Sequence, residues 1–446
     1  MLSSGATHVP HIINKCAMRY IKSLIFVVAL MLSSHAMAQS STTPATAPRT
    51  RLVPYATATA AAERSLARQR YMQPITEWTR GAEGSYCGEF TYPFSWVERQ
   101  IFMRVEGVAC PYEVVLNGRS IASSSNGHVA KEYNITKLAR EDKNSVELRL
   151  LPRDGVAPIE CFSEDVVPTP KVYIIAQPRV RVRDVAWSVE RGVGNIVNGS
   201  FSVVMSNETL GAKCARLYYE LYLNDTIRLG GGYRDVELGM YGHDTLRFGM
   251  PVPQEALWSA ESPMRLSLRM NNRIEGRDVE FYNLAVGMRE LQYEDGTFKI
   301  NGMAIDMAWH DMSPCATVQE VADAVAAGYR ALRFVAEGVA EEVLDYCDGV
   351  GVYVAVTAPI NSSLSGTSRK RKGNPSNNPV WREEYVSRIT EMIHTTKRHP
   401  SVVAYFLADD SANGICLYEG YLAAKAVAGA CPVFYDACAG EWNSDR

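Results

Sequence analysis

The residues best placed for chemistry are Asp409 and Asp410, which end the apolar run SVVAYFL within HPSVVAYFLADDSANG (399–414). Carboxyl groups at the end of a buried parallel strand face a mouth where loops converge, and burial there raises a carboxyl pKa enough for proton donation near neutral pH. Acid catalysis is therefore one chemistry open to them. The other reading is structural: Asp409, Asp410 or Ser411 accepts from the free amides at the start of the following helix. Neighbours at a strand end project in opposite directions, so these two aspartates cannot form a catalytic pair with each other. Elsewhere the chain offers little for metals or redox groups. It has no CxxC, HxH or HExxH spacing, its eight histidines are dispersed, and no metal or cofactor is expected. Beyond Cys16, the cysteines at 87, 110, 161, 214, 315, 347, 416, 431 and 438 are odd in number and scattered, which predicts thiols rather than a disulfide framework. The basic run RKRK (369–372) reads as a solvated loop.

Positioning such residues takes a framework, and 446 residues are enough for several cores. With 47% hydrophobic residues, 21% charged residues and a formal net charge of −3, the composition is that of a globular protein with no call for nucleic acid or another polyanion. Lys15, Arg19 and Lys22 precede LIFVVALML, and Ala36 and Ala38 fit cleavage before Gln39, so residues 1–38 read as a signal peptide and the protein as exported. Outside that segment no apolar run approaches the roughly 18 residues of a membrane span. Residues 39–70, opening SSTTPATAPRT, read as a disordered lead-in. From 71 to 177, alternating runs such as QIFMRVEGV and SVELRLL predict half-buried strands, and Asn117-Gly118 between two such runs predicts a tight hairpin. A β-sandwich follows. Residues 178–287 repeat that pattern at immunoglobulin-like spacing. From 288 to 446 helical and strand patterns alternate, which predicts βαβ units and a parallel sheet of about five strands counted from KINGMAIDMAWH.

Several of these stretches resemble glycoside hydrolase family 2, the β-galactosidase, β-glucuronidase and β-mannosidase group. ERQIFMRVEGV, VVLNGRSIA and EYNITKLAREDKNSVELRL are similar to its sugar-binding jelly roll, and GMRELQYEDGTFKINGMAI is similar to its entry into the catalytic barrel. AGYRALRF resembles its second barrel strand, with Arg333 in the matching place, and HPSVVAYFLADDS resembles its fourth, where the family ends in Gly-Asn-Glu-Ser. The resemblance implies a jelly-roll sandwich, an immunoglobulin-like sandwich and a partial (β/α)8 TIM barrel, with carbohydrate as the ligand.

It also implies roles that the residues only partly fill. Retaining hydrolysis takes two carboxyl groups about 5–5.5 Å apart. The acid/base position falls on Asp410, one methylene shorter than the family's glutamate, and a misplacement near 1 Å costs on the order of a hundredfold in rate. Asp409 replaces an asparagine that donates to the sugar 2-hydroxyl, and an ionised aspartate has no proton to donate. The family's arginine and asparagine after the first strand fall near Ala308 and Asp311, and its histidine falls on Ala336. The family's nucleophile belongs to a seventh barrel strand, whereas this sequence stops at Arg446 after about five; Glu419, Asp436 and Glu441 are weak candidates for a substitute, Asp436 ending the fifth strand. The expectation is an impaired enzyme that retains carbohydrate binding or a structural role, with an active exo-β-glycosidase as the alternative. Asp409, Arg333, Asp311 and Trp442 are the candidate sugar contacts, with Arg333 better suited to an ion pair, and Trp309, Trp381 and Trp442 to packing. An open barrel edge predicts self-association.

Overall fold

A computed structural model describes residues 45–64, 69–162, 169–190, 196–313, 315–335, 338–365 and 373–445. The proposed signal peptide, the RKRK run and Ala336 lie outside the described residues. The first sandwich pairs a four-stranded antiparallel sheet, Met72–Ile75, Lys171–Gln177, Gln100–Glu106 and Lys131–Asn134, with a five-stranded one built around Tyr86–Phe90, Asn144–Leu150 and Tyr112–Leu116. Period-two alternation sends Met103, Tyr112, Tyr133 and Leu148 into one core, closed at one end by Trp96. Asn117 and Gly118 form the expected two-residue turn, and both have positive φ, +53° and +77°.

The second sandwich has three antiparallel strands, Val180–Glu190, Ile196–Asn207 and His243–Pro253, facing four, Ile227–Leu238, Lys213–Leu223, Leu266–Ile274 and Arg277–Val286. Val203, Met205, Leu217, Leu221 and Leu268 meet between them, with the rings of Phe201 and Phe248 stacked.

The third region is a five-stranded parallel sheet in sequence order: β1 (His310–Met312), β2 (Ala331–Phe334), β3 (Tyr353–Thr357), β4 (Val402–Phe406) and β5 (Val433–Phe434). Every residue of β3 and β4 is buried, as strands covered on both faces require. Counting the helices of the described chain from α1 (Ala58–Ala62), those of the barrel are α2 (Val318–Ala326), α3 (Glu341–Val350), α4 (Arg382–Thr396) and α5 (Ile415–Val427). Thr317 and Glu320 form a capping box on α2. Gly351 ends α3 at φ +77°, and a Cβ there would sit 2.1 Å from the Ala260 carbonyl oxygen, so a bare backbone lets the helix end seat against the second sandwich.

Three expectations are corrected. The lead-in is ordered from Ala45 and much of it is buried: Leu52 is fully enclosed, α1 packs on the outer edge of the second sandwich, and Tyr55 bridges to Phe281. Arg49 Nη2 donates to Glu132 at 3.0 Å and Nη1 to the Arg183 carbonyl, while Thr50 Oγ1 donates to the Thr395 carbonyl. Leu52 joins the second-sandwich core, Tyr55, Ala60 and Ala61 form a small cluster against Phe281, and hydrogen bonds at Thr50 and Arg51 tie the strap to the barrel. KINGMAIDMAWH is not one barrel strand, because Thr297–Ile300 and Met303–Ile305 join Leu291–Glu294 in a small antiparallel sheet ahead of β1. The outer edge of β5 is not bare either. Val433 N–H donates to Asp445 Oδ2, the Val433 carbonyl accepts from Asp445 N–H, and Tyr435 N–H donates to Ser444 Oγ.

Candidate active site

The C-terminal ends of the parallel strands bring together Asp311 from β1, Arg333 from β2, Phe406 from β4 and Asp436, which follows β5. Arg333 grips Asp311 through Nε (2.6 Å) and Nη2 (2.8 Å) and reaches Asp436 through Nη1 (2.7 Å). Its guanidinium stands 4.9 Å from the Phe406 ring centroid. The bonds to Asp311, above all, and to Asp436 raise its pKa further, so the charge is fixed. Arg333 thus anchors an ion pair, as its place in the sheet suggested. Asp311 is spent on that pair rather than free for a ligand.

Beside this pair lies a cavity of about 710 Å³ walled by Tyr293, Phe298, Trp309, Phe406 and Phe434, with Asp306 and Asp436 at its polar side. Its size and its mix of aromatic walls with a few charged groups suit a small polar ligand that has apolar faces. The aromatic walls other than Trp309 escaped sequence reasoning, since Phe298 and Phe434 look like ordinary core positions and are 136 residues apart in numbering. Trp309 partly packs on the barrel core and partly lines the cavity. Trp442 does neither. It is 52% exposed and leans on Tyr418 and Tyr421, with centroids 4.9 and 5.9 Å away. Trp381 packs against the core.

Asp409 and Asp410 sit outside the lining of that cavity. They do not cap α5, which begins after Gly414 without a side-chain cap. Instead the segment runs on beside the chain that follows β3: Asp409 N–H donates to the Ile360 carbonyl, Ser362 N–H to the Asp410 carbonyl, and Ser411 Oγ also accepts from Ser362 N–H. The Asp409 carboxyl is half-buried and accepts from Asn361 Nδ2 at 3.3 Å; burial, reinforced by the neighbouring Asp410 charge, raises its pKa. Asp410 is exposed, and its carboxylate makes no hydrogen bond or ion pair among the described residues. Ala308, near which the resemblance places the family's arginine, is exposed. Of the other late acids, Glu419 is paired with Arg382. Asp445, which the sequence reading passed over, binds Tyr421 Oη, Lys425 Nζ and the edge of β5.

One cluster among the described residues has metal-ligand character: Asp345, Asp348 and His399. Both oxygens of Asp348 are already taken, Oδ2 by His399 Nδ1 at 2.8 Å and Oδ1 by Ser401 N–H and Oγ–H, so the group acts as a clasp between α3 and the start of β4. None of the nine cysteines after Cys16 is joined in a disulfide among the described residues.

Comparison with known proteins agrees with this architecture. The family model described as glycosyl hydrolase 2 galactose-binding domain-like matches residues 37–157, and the model for the glycosyl hydrolases family 2 TIM barrel domain matches residues 326–443. A β-galactosidase of Priestia megaterium is 21% identical over 359 residues, and one of Psychromonas ingrahamii is 22% identical over 353; each alignment takes in 74% of this chain. The chain spans about a third of the length of these curated relatives. In fold it is similar to Bacteroides uniformis β-glucuronidase, with a TM-score of 0.67 at 16% identity over 79% of this chain and 46% of that one. It is also similar to an Amycolatopsis orientalis exo-chitosanase, with a TM-score of 0.64 at 16% identity over 78% of this chain and 44% of that one. With two models of one family matching the first sandwich and the barrel, together just over half of its length, the chain belongs to glycoside hydrolase family 2.

Proposed function

We propose that this family 2 protein is exported and holds a β-glycoside at the barrel mouth, with hydrolysis impaired. One observation carries the reading: the carboxylate at the acid/base position, Asp410, is solvent-facing and apart from the aromatic cavity, while the acids beside that cavity at β1 and β5 are held by Arg333. A cavity with aromatic walls and an immobilised ion pair can bind a sugar ring through its C–H faces and hydroxyls, and neither task needs a mobile proton. The names of the curated relatives support a galactoside as the first ligand to try. Export rests on the basic flank, apolar run and Ala-x-Ala site at 1–38. The first strand, β1, pairs on one side only, with β2, which supports self-association through that edge.

A second reading, an active exo-β-glycosidase, is favoured by Asp409, whose raised pKa suits a proton donor. Incubation with aryl β-galactoside, β-glucuronide, β-mannoside and β-glucosaminide separates the two. Turnover abolished by Asp409→Asn or Asp410→Ala establishes the enzyme. Calorimetric binding of a β-galactoside without turnover, lost in Arg333→Ala, establishes the binding protein, and neither binding nor turnover refutes both. Sedimentation of the mature chain at micromolar concentration tests association, and a monomer throughout the range overturns it.

A further inference from the structure

We infer that the outer face of the second sandwich carries a separate binding groove for a neutral oligosaccharide. The groove encloses about 800 Å³, lies between α1 and the strand Ile227–Leu238, and shares no residue with the barrel-mouth cavity. Strand register builds it. Tyr218 stands opposite Tyr233 on one side and Asn271 on the other, and Glu220 stands opposite Gly231 and Arg269. The two tyrosine rings lie 5.8 Å apart at 50°; the Arg216 guanidinium stands 4.3 Å from the Tyr233 centroid, yet Tyr233 remains half exposed, so part of its ring meets solvent along one wall. Gly231, opposite Glu220, leaves room for the Arg228 side chain. A Cβ at that position would come within 2.7 Å of both Arg228 Nη2 and the Tyr219 carbonyl oxygen.

The polar groups select the ligand. Arg228 is paired with Glu220 at 2.9 Å, and Arg269 reaches Asp225 and its carbonyl, so each arginine lining the groove already has an acidic partner within the protein. Two atoms on lining residues, Asn271 Oδ1 and Arg269 Nε, are buried without a hydrogen-bond partner among the described residues. A small turn of either side chain presents an acceptor or a donor to a hydroxyl, which is both, and relieves the cost of leaving it unpaired. Flat apolar rings beside paired donors and acceptors, in a groove with room for more than one ring, fit a neutral glycan chain.

The ligand class rests on the carbohydrate reading of the barrel; the position of the groove does not. The test is calorimetry of the full mature chain with cellotetraose, xylotetraose, β-1,4-galactotetraose and mannotetraose, alongside an aryl β-galactoside as a probe of the barrel. Tyr233→Ala and Tyr218→Ala are each expected to weaken binding of at least one tetrasaccharide by about tenfold. Tyr233→Phe retains it, and Arg333→Ala leaves it unchanged while removing the galactoside. Tetrasaccharide binding lost in Arg333→Ala but not in the tyrosine variants puts the chain in the barrel, which overturns the groove and leaves the proposed function standing. Tyrosine-dependent tetrasaccharide binding without galactoside binding does the reverse. No heat with any tetrasaccharide at millimolar concentration overturns the groove.

Discussion

Replacing Glu132 with glutamine tests the junction that joins the strap to the first sandwich. The Glu132 carboxylate is 3% exposed and lies 3.0 Å from Arg49 and 2.9 Å from Arg104, themselves only 3% and 2% exposed. Burial alone would push its pKa up, yet Arg49 and Arg104 outweigh that and hold it at about 2, against an ordinary value of 4.5. A fall of that size, at about 1.4 kcal/mol per pH unit, corresponds to roughly 3–4 kcal/mol of stability. Breaking a buried pair from one side costs a similar amount, about 3–5 kcal/mol, because the guanidiniums stay buried without their counter-charge. Because the folded value is the lower one, this stability is present above about pH 4.5 and is lost as pH falls towards 2. Urea unfolding of Glu132→Gln and the parent at pH 7 should therefore differ by about 3–4 kcal/mol in the transition that releases the strap, and the gap should close towards pH 2. A proteolytic site should also open within residues 45–64. A variant within about 1 kcal/mol of the parent at pH 7, or a gap that persists undiminished in acid, refutes this account of the junction.

Gly351→Ala should destabilise the barrel by about 2 kcal/mol or more, since it combines a left-handed residue with a Cβ 2.1 Å from the Ala260 carbonyl; an unchanged melting temperature counts against that contact. His399 is buried, which alone lowers its pKa, but Asp348 more than compensates and raises it. Its contribution is therefore full below the usual histidine range near 6.5 and fades as pH rises through the raised value. His399→Asn should be most destabilised in mild acid, and an equal deficit at every pH rejects a charged clasp. Asp445→Ala should speed amide exchange at Val433 and cost about 1–3 kcal/mol locally, because a buried donor loses its acceptor; parent-like protection there shows that the β5 edge is held by something else.

Local chemistry made much of the fold legible. Two adjacent positive-φ residues announced the 117–118 turn, alternation announced both sandwiches, and unbroken apolar runs announced β3 and β4. What stayed hidden depends on partners far along the chain. Thr43-Pro44-Ala45 and the residues around it have the composition of a solvated tail, and nothing local says that Arg49 will meet Glu132 or that Thr50 will meet the end of α4. Arg333 could be assigned to an ion pair from its strand, but its second partner, Asp436, lies 103 residues away. ADDS looked like a helix start because side-chain oxygens favour caps; backbone pairing with 360–362 claimed the segment first and left the cap to Gly414.

The strap sets an order of events during synthesis. Thr50 and Arg51 leave the ribosome early, yet their partners Thr395 and Arg398 are 345 and 347 positions later, so both sandwiches and most of the barrel strands must be made before those bonds close. Contacts of such separation form last and slowly. Leu52 and Tyr55, by contrast, seat on the second sandwich and can be buried once the strand ending at Val286 has been made. Closure of the Thr50 and Arg51 bonds is the late event, and it marks the docking of the barrel against the strap.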